Sequence, residues 1–225
     1  MRYLITVFIC CAFALLSCDP KTDPPDKVIK LDSLPSLDKN SYASADQSPM
    51  DMSYHPSGYP LQKMAGKDSS ASPIARVIYS RPHKKGRQVF GNNEKSLCRY
   101  GRPWRLGANE ATEIEFFRPV RIAGKDVPAG RYVIYCIPYA DHWTIVMNKN
   151  LYTWGLHMDT TKDFLKVDIV TMELNPALED FTMVFLPSDV GTELLMAWDN
   201  VKAILPIMFP AETGKRNADN ADLAD

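Results

Sequence analysis

The chain has 225 residues, 26 Lys and Arg against 27 Asp and Glu, 45% hydrophobic and 10% aromatic residues, 17 Pro and 11 Gly. That content is too apolar and aromatic for a wholly disordered chain, and five Cys are too few for a disulfide scaffold. A formal net charge of −1 lacks the cation excess needed to coat nucleic acid, so no nucleic-acid partner is expected.

At the N-terminus Arg2 precedes an apolar run from Tyr3 to Leu16, too short to rest in a bilayer as a permanent helix. Residues 1–17 read as an export signal. The run ends in Leu15, Leu16, Ser17 and Cys18, which resembles the lipobox of bacterial lipoproteins, where the Cys is lipid-modified and begins the mature chain. Leu16 is bulkier than the usual residue there, and an ordinary signal peptide with an incidental Cys is the competing reading. Acyl chains on Cys18 would anchor the protein to a membrane of the bacterial cell envelope, each buried methylene contributing about 0.8 kcal/mol.

Residues 18–47 turn to Pro, Asp, Lys and Ser, with Pro20, Pro24, Pro25 and Pro35. This composition predicts a stiff, extended linker at about 3.1 Å per residue. Asp19 does not decide which membrane or which face. Once the signal is removed and Cys18 lipidated, Cys98 and Cys136 remain. A disulfide between them suits an extracytoplasmic protein, and a buried free thiol at Cys136, on the face of Tyr132 and Ile134, suits the pattern equally.

Residues 48–210 are expected to form one domain. Met50, Met52, His55 and Met64 suggest soft-metal capture, though an anchoring role for a first strand fits them better. From Ile74 to Phe209 apolar residues alternate at period 2, broken by turn residues. Strands are predicted at Ile74–Ser80, Thr112–Phe117, around Tyr132, Ile134 and Cys136, around Trp143, Ile145 and Met147, and at Leu165–Ile169. Others are predicted at Phe181–Leu186, Glu193–Trp198 and Val201–Ile207. Ala123-Gly124-Lys125-Asp126 and Asp199-Asn200 suit tight hairpins. No stretch keeps a helical period over three turns. The fold class expected is therefore all-β: an antiparallel β-sandwich, jelly-roll-like or Greek-key, of about eight or more strands. Residues 211–225 read as a flexible acidic tail.

Charge is uneven. Residues 74–131 hold 13 Lys and Arg against 5 Asp and Glu, while residues 132–225 hold 6 against 14. Either a basic surface awaits an anionic ligand, or interleaved strands neutralise one another.

Inside the basic half stand Tyr79-Ser80-Arg81-Pro82, then Gly86-Arg87-Gln88-Val89-Phe90-Gly91, then the run from Trp104 and Arg105 to Asn109, Glu110 and Thr112. With Val127 to Tyr132, Trp143, Trp154-Gly155 and Trp198, these motifs resemble domain of unknown function 2911, a bacterial family, over about Ser48 to Phe209. The resemblance implies an exported or envelope-associated protein and brings no activity with it. The stretch from Lys95 to Arg99, with Cys98, looks like local variation on the family loop.

Arg81, Arg87 and Arg105 offer planar forks for carboxylate or phosphate, Trp104 a stacking face, and Asn109 and Glu110 polar acceptors. These six are the candidate ligand-binding residues, for an anionic or carbohydrate ligand. The structural alternative is that Trp104 fills the core, Gly107 and Asn109 form a turn at positive φ, and an Arg105–Glu110 pair braces the loop. Tyr79, in phase with Ala75 and Val77, reads as packing. Catalysis has weaker support. Glu113 and Glu115 lie on one strand face about 7 Å apart, as paired-carboxylate glycosidases require, but exposed Glu pairs are ordinarily just solvated. Ser80 and His83 lack a nucleophile elbow, and the four His show no metal-ligand spacing. The expectation is a non-enzymatic binding or structural envelope module, without catalytic residue, metal or cofactor, its partners a ligand or another envelope protein. A carbohydrate-active hydrolase is the alternative.

Overall fold

A computed structural model describes residues 46–66 and 72–210. The expected signal, lipidated Cys18, most of the linker and the acidic tail lie outside these residues. Within them the chain is almost entirely β. In order come β1 (Met50–His55), a one-and-a-half-turn helix α1 (Tyr59–Met64), β2 (Ala75–Ser80), and the two-residue strands β3 (Phe90–Gly91) and β4 (Cys98–Arg99). Then follow β5 (Glu113–Phe116), β6 (Val120–Ile122), β7 (Lys125–Val127), β8 (Gly130–Pro138), β9 (His142–Asn148), β10 (Asp163–Ser188) and β11 (Gly191–Met208).

Nine of these strands form one antiparallel sheet, in the order β1-β2-β5-β8-β9-β10-β11-β6-β7, and β3 and β4 form a small parallel pair beside it. The 26-residue β10 creates the sandwich-like shape. Its first part pairs with β9 through Val170, and from Thr171 onward it pairs with β11. Between Glu173 and Thr182 the β10–β11 register shifts twice, and Pro176, which has no N–H for the ladder, sits in that irregular stretch. The two parts of the sheet thus face each other across one core. Ile114, Ile134, Trp143 and Ile145 come from one side, and Phe181, Met196, Trp198 and Leu205 from the other.

The sheet does not close into a barrel. Where β10 leaves β9, its freed edge meets β1 and β2 mainly through side chains. Phe181 N–H donates to Pro82 O at 3.1 Å, Met183 N–H to the Tyr79 hydroxyl at 3.0 Å, and Phe185 N–H to Ser53 Oγ at 3.2 Å. Those donors lie two residues apart, so all point to the same side of the strand. Tyr79 is buried as expected, but its hydroxyl also satisfies a ladder donor that packing alone would leave unpaired.

Two sequence expectations change. The strands predicted at Leu165–Ile169 and Phe181–Leu186 are parts of one bent strand, and Asp199-Asn200 is not a hairpin. Asp199 is left-handed at φ 53, yet Ala197 and Val201 pair with Thr182 and Glu173 of β10 and not with each other. The chain therefore bends at Asp199 and continues as β11. The Ala123-Gly124 hairpin does form, with both residues at positive φ, joining β6 to β7. Cys98 and Cys136 are buried free thiols. Burial raises both thiol pKa values well above the ordinary one.

Candidate functional site

Between β4 and β5 the chain is pinned at short intervals. Leu97 and Cys98 donate backbone bonds to Gln88 O and Val89 O, Tyr100 to Gly91 O, and Gly101 to Pro138 O. Trp104 and Cys136 exchange a pair of bonds at 2.7 and 2.8 Å. Along this path Cys98, Trp104 and Leu106 are buried, while Arg99 and Arg102 are exposed and Arg105 is half-buried. The interior anchors therefore hold out a row of arginines at spacing three. A fourth, Arg87, arrives from the turn before β3, where its guanidinium donates to Lys84 O and His83 O.

These four arginines line one cavity of about 410 Å3, within the size range of small-molecule sites. Cys98, Trp104 and Trp198 also line it, and among the described residues no Asp or Glu does. Among the described residues Arg99 and Arg102 make no side-chain hydrogen bond or salt bridge, so their forks stay available. Arg105 donates through Nη1 to Trp154 O at 3.0 Å and sits 5.9 Å from the Trp154 ring centroid. Burial lowers the Arg105 pKa and the charge of Glu110 partly offsets this, leaving a cation, as arginine is at any biological pH. Ser96, 7% exposed, also lines the cavity, and its Oγ has no hydrogen-bond partner among the described residues.

The six residues singled out from sequence divide. Arg87, Trp104 and Arg105 come together at the cavity. Arg81 does not, because its Nη1 pairs with Asp51 at 3.0 Å. Asn109, at φ 55, donates to Asp46 Oδ2 at 2.7 Å and fastens the incoming chain. Glu110 is exposed and lines a different cavity. The Arg105–Glu110 ion pair considered as a brace is not formed. The loop is braced instead by Trp104 Nε1 donating to Gly107 O, Thr112 Oγ1 to Leu106 O, and Thr112 N–H to Arg105 O.

Trp104 is not a free stacking face. It is 8% exposed and packs on Trp198 in a stacked geometry at 5.8 Å, with Phe181, Phe90 and Trp143 edge-on around it. Its part in the site is a floor. Sequence reasoning passed over Arg99 and Arg102, although the Arg99, Arg102, Arg105 spacing between buried Cys98 and Leu106 was the signal available.

The other chemistries are engaged elsewhere. Glu113 lies 3.5 Å from Arg131 and Glu115 pairs with Arg76, so each carboxylate of the glycosidase alternative has a cationic neighbour. His83 pairs with Asp180, and Ser80 is buried. No group of three or more His, Cys, Asp or Glu among the described residues could hold a metal ion. Met50 and Met52 lie exposed on β1 and Met64 exposed on α1. Between the two halves of the charge distribution, Lys84 pairs with Asp199 and His83 with Asp180.

A family described as a protein of unknown function, DUF2911, matches residues 62–207 of the chain. No curated protein and no solved structure matches it.

Proposed function

We infer a function from the geometry of the site, because the chain belongs to DUF2911, a family whose function is unknown. The reading supported best is a non-enzymatic binding module for a small anionic ligand, held in the bacterial cell envelope by lipid on Cys18. A single observation carries it: four arginines and, among the described residues, no carboxylate line a cavity of about 410 Å3. Among the described residues the side chains of Arg99 and Arg102 have no hydrogen-bond or ion-pair partner, and a cavity wall rich in guanidinium groups favours an anion. Carboxylate and phosphate or sulfate oxygens match the planar fork equally well, so the class proposed is an oxyanion on a small organic frame. The anchor rests on Leu15-Leu16-Ser17-Cys18.

The test is thermal unfolding of the full chain at low salt with inorganic phosphate, inorganic sulfate or galacturonate oligosaccharides, repeated with Arg99→Gln/Arg102→Gln. A ligand at a hundred times its dissociation constant adds about 2.7 kcal/mol, a readily measured rise in Tm. A rise abolished in the double variant supports the reading. No rise with any of these anions overturns it.

A further inference from the structure

The loop at Tyr152–Leu156 separates two cavities of opposite character. Gly155 and Leu156 line the arginine cavity, whereas Tyr152, Thr153 and Trp154 line a second one of about 490 Å3, shared with Met50, Ile78, Glu110, Glu113 and Arg131. Trp104, Trp143 and Trp198 are buried, but Trp154 is 53% exposed and Tyr152 84%. Two large, exposed aromatic rings thus stand on one short loop and line the same cavity.

Their exposure does not come from a loosely held loop. Thr153 O accepts the Ala111 N–H at 3.0 Å and Trp154 O accepts Arg105 Nη1 at 3.0 Å. Gly155, at φ 76, lets the backbone approach so closely that an added Cβ would stand 3.0 Å from the side chains of both Ala111 and Arg105. Tyr152 itself is held left-handed at φ 60, a conformation that costs a non-glycine residue energy and collects at ligand clamps. The fold fixes this backbone from both sides and leaves its rings in solvent.

We propose that this second cavity binds an uncharged pyranose, stacked against Trp154 and Tyr152. A pyranose presents a face of C–H groups to an aromatic ring and a rim of hydroxyls that both donate and accept. The cavity supplies each counterpart: rings for the C–H face, Glu110 to accept, and the Glu113–Arg131 pair, 3.5 Å apart, whose remaining carboxylate and guanidinium capacity can accept and donate. Two carboxylates against one guanidinium make it unreceptive to anions, in contrast to the arginine cavity across the loop. The proposal does not depend on the function assigned to that cavity.

Because Trp154 is the sole exposed tryptophan of the four, it is a built-in reporter. The experiment measures acrylamide quenching and emission maximum of the full chain with cellotetraose, chitotetraose or maltotetraose, and with tetragalacturonate as the acidic counterpart. Weak sugar binding calls for concentrations of about 10 mM. Protection of Trp154 with a blue shift by at least one neutral tetrasaccharide is expected. Tyr152→Ala, which removes an exposed ring, should weaken that protection about tenfold, equivalent to about 1.4 kcal/mol, at unchanged Tm. Quenching unaltered by all three neutral sugars overturns the proposal, as does protection that is undiminished in Tyr152→Ala. Protection by tetragalacturonate alone also overturns it, and because Arg99→Gln/Arg102→Gln would abolish that effect, such a result would be assigned to the arginine cavity.

Discussion

The Tyr79 hydroxyl accepts the Met183 backbone N–H at 3.0 Å, joining β2 to β10 across 104 residues of sequence. The same hydroxyl lies 3.2 Å from Asp51 Oδ2, to which it donates. Burial pushes the Tyr79 pKa up to about 12 while the Met183 N–H opposes the rise, so the phenol stays protonated and keeps both roles. Tyr79→Phe leaves the ring packed on Phe181 and orphans a buried N–H. Urea unfolding should show a loss of about 1–3 kcal/mol, the cost of an unsatisfied buried donor. A loss within error of zero would mean that water replaces the hydroxyl.

Trp104→Ala tests whether this residue is floor or ligand platform. The ring contacts Phe90, Trp143, Phe181 and Trp198, and its removal opens the core under the arginine cavity. Large-to-small truncation at such a site costs about 3–5 kcal/mol, and the denaturation midpoint should fall accordingly. Binding lost in that variant therefore reports a collapsed floor and gives no evidence for stacking.

Arg99→Gln/Arg102→Gln and Arg105→Ala should behave differently. The first pair of side chains carries no hydrogen bond or ion pair among the described residues, so the unfolding free energy without ligand should stay within about 0.5 kcal/mol of the parent while the response to anions disappears. Arg105 holds the Trp154 carbonyl, so its loss should lower Tm as well as weaken anion binding. Equal behaviour of the two variants would mean that Arg99 and Arg102 have structural partners in solution.

The two-residue period made most strands legible, and family motifs located the Trp104–Thr112 loop. What remained hidden was how separate runs join. Period-2 patterning looks the same in one bent strand and in two straight ones, so β10 and β11 were each read as a pair of shorter strands. Asp199 has a turn residue's conformation without making a turn, because both flanks stay paired with β10. At the site, Arg81 and Arg105 are the same residue type, each within one of the family motifs. Asp51 neutralises one, while the other lines a cavity without any acid, and no local pattern distinguishes them.

Cys18→Ser addresses the anchor, independently of either cavity. If acyl chains on Cys18 hold the protein, the variant should move from the membrane fraction to the soluble one and fail to take up labelled fatty acid. The difference is large because each buried methylene contributes about 0.8 kcal/mol and a lipoprotein carries several chains. Retention of the variant in the membrane with unchanged label would remove the lipoprotein assignment and leave both binding proposals standing.

His55 gives the fold a defined pH dependence. Its ring packs on Phe209 at 5.2 Å and Phe185 at 6.4 Å, and burial followed by repulsion from Arg118 lowers its pKa below the ordinary value. In the unfolded chain His55 titrates near its ordinary pKa of about 6.5 and binds its proton more readily than in the fold. Its contribution to stability is therefore complete above about pH 6.5 and is lost as pH falls from there toward the lower folded value. Tm should drop between neutral pH and about pH 5 in the parent. In His55→Leu, which keeps an apolar contact with both phenylalanines, that part of the drop should vanish while pH effects from other groups persist. Parallel Tm profiles for the two proteins would show that His55 titrates alike in the folded and unfolded chain.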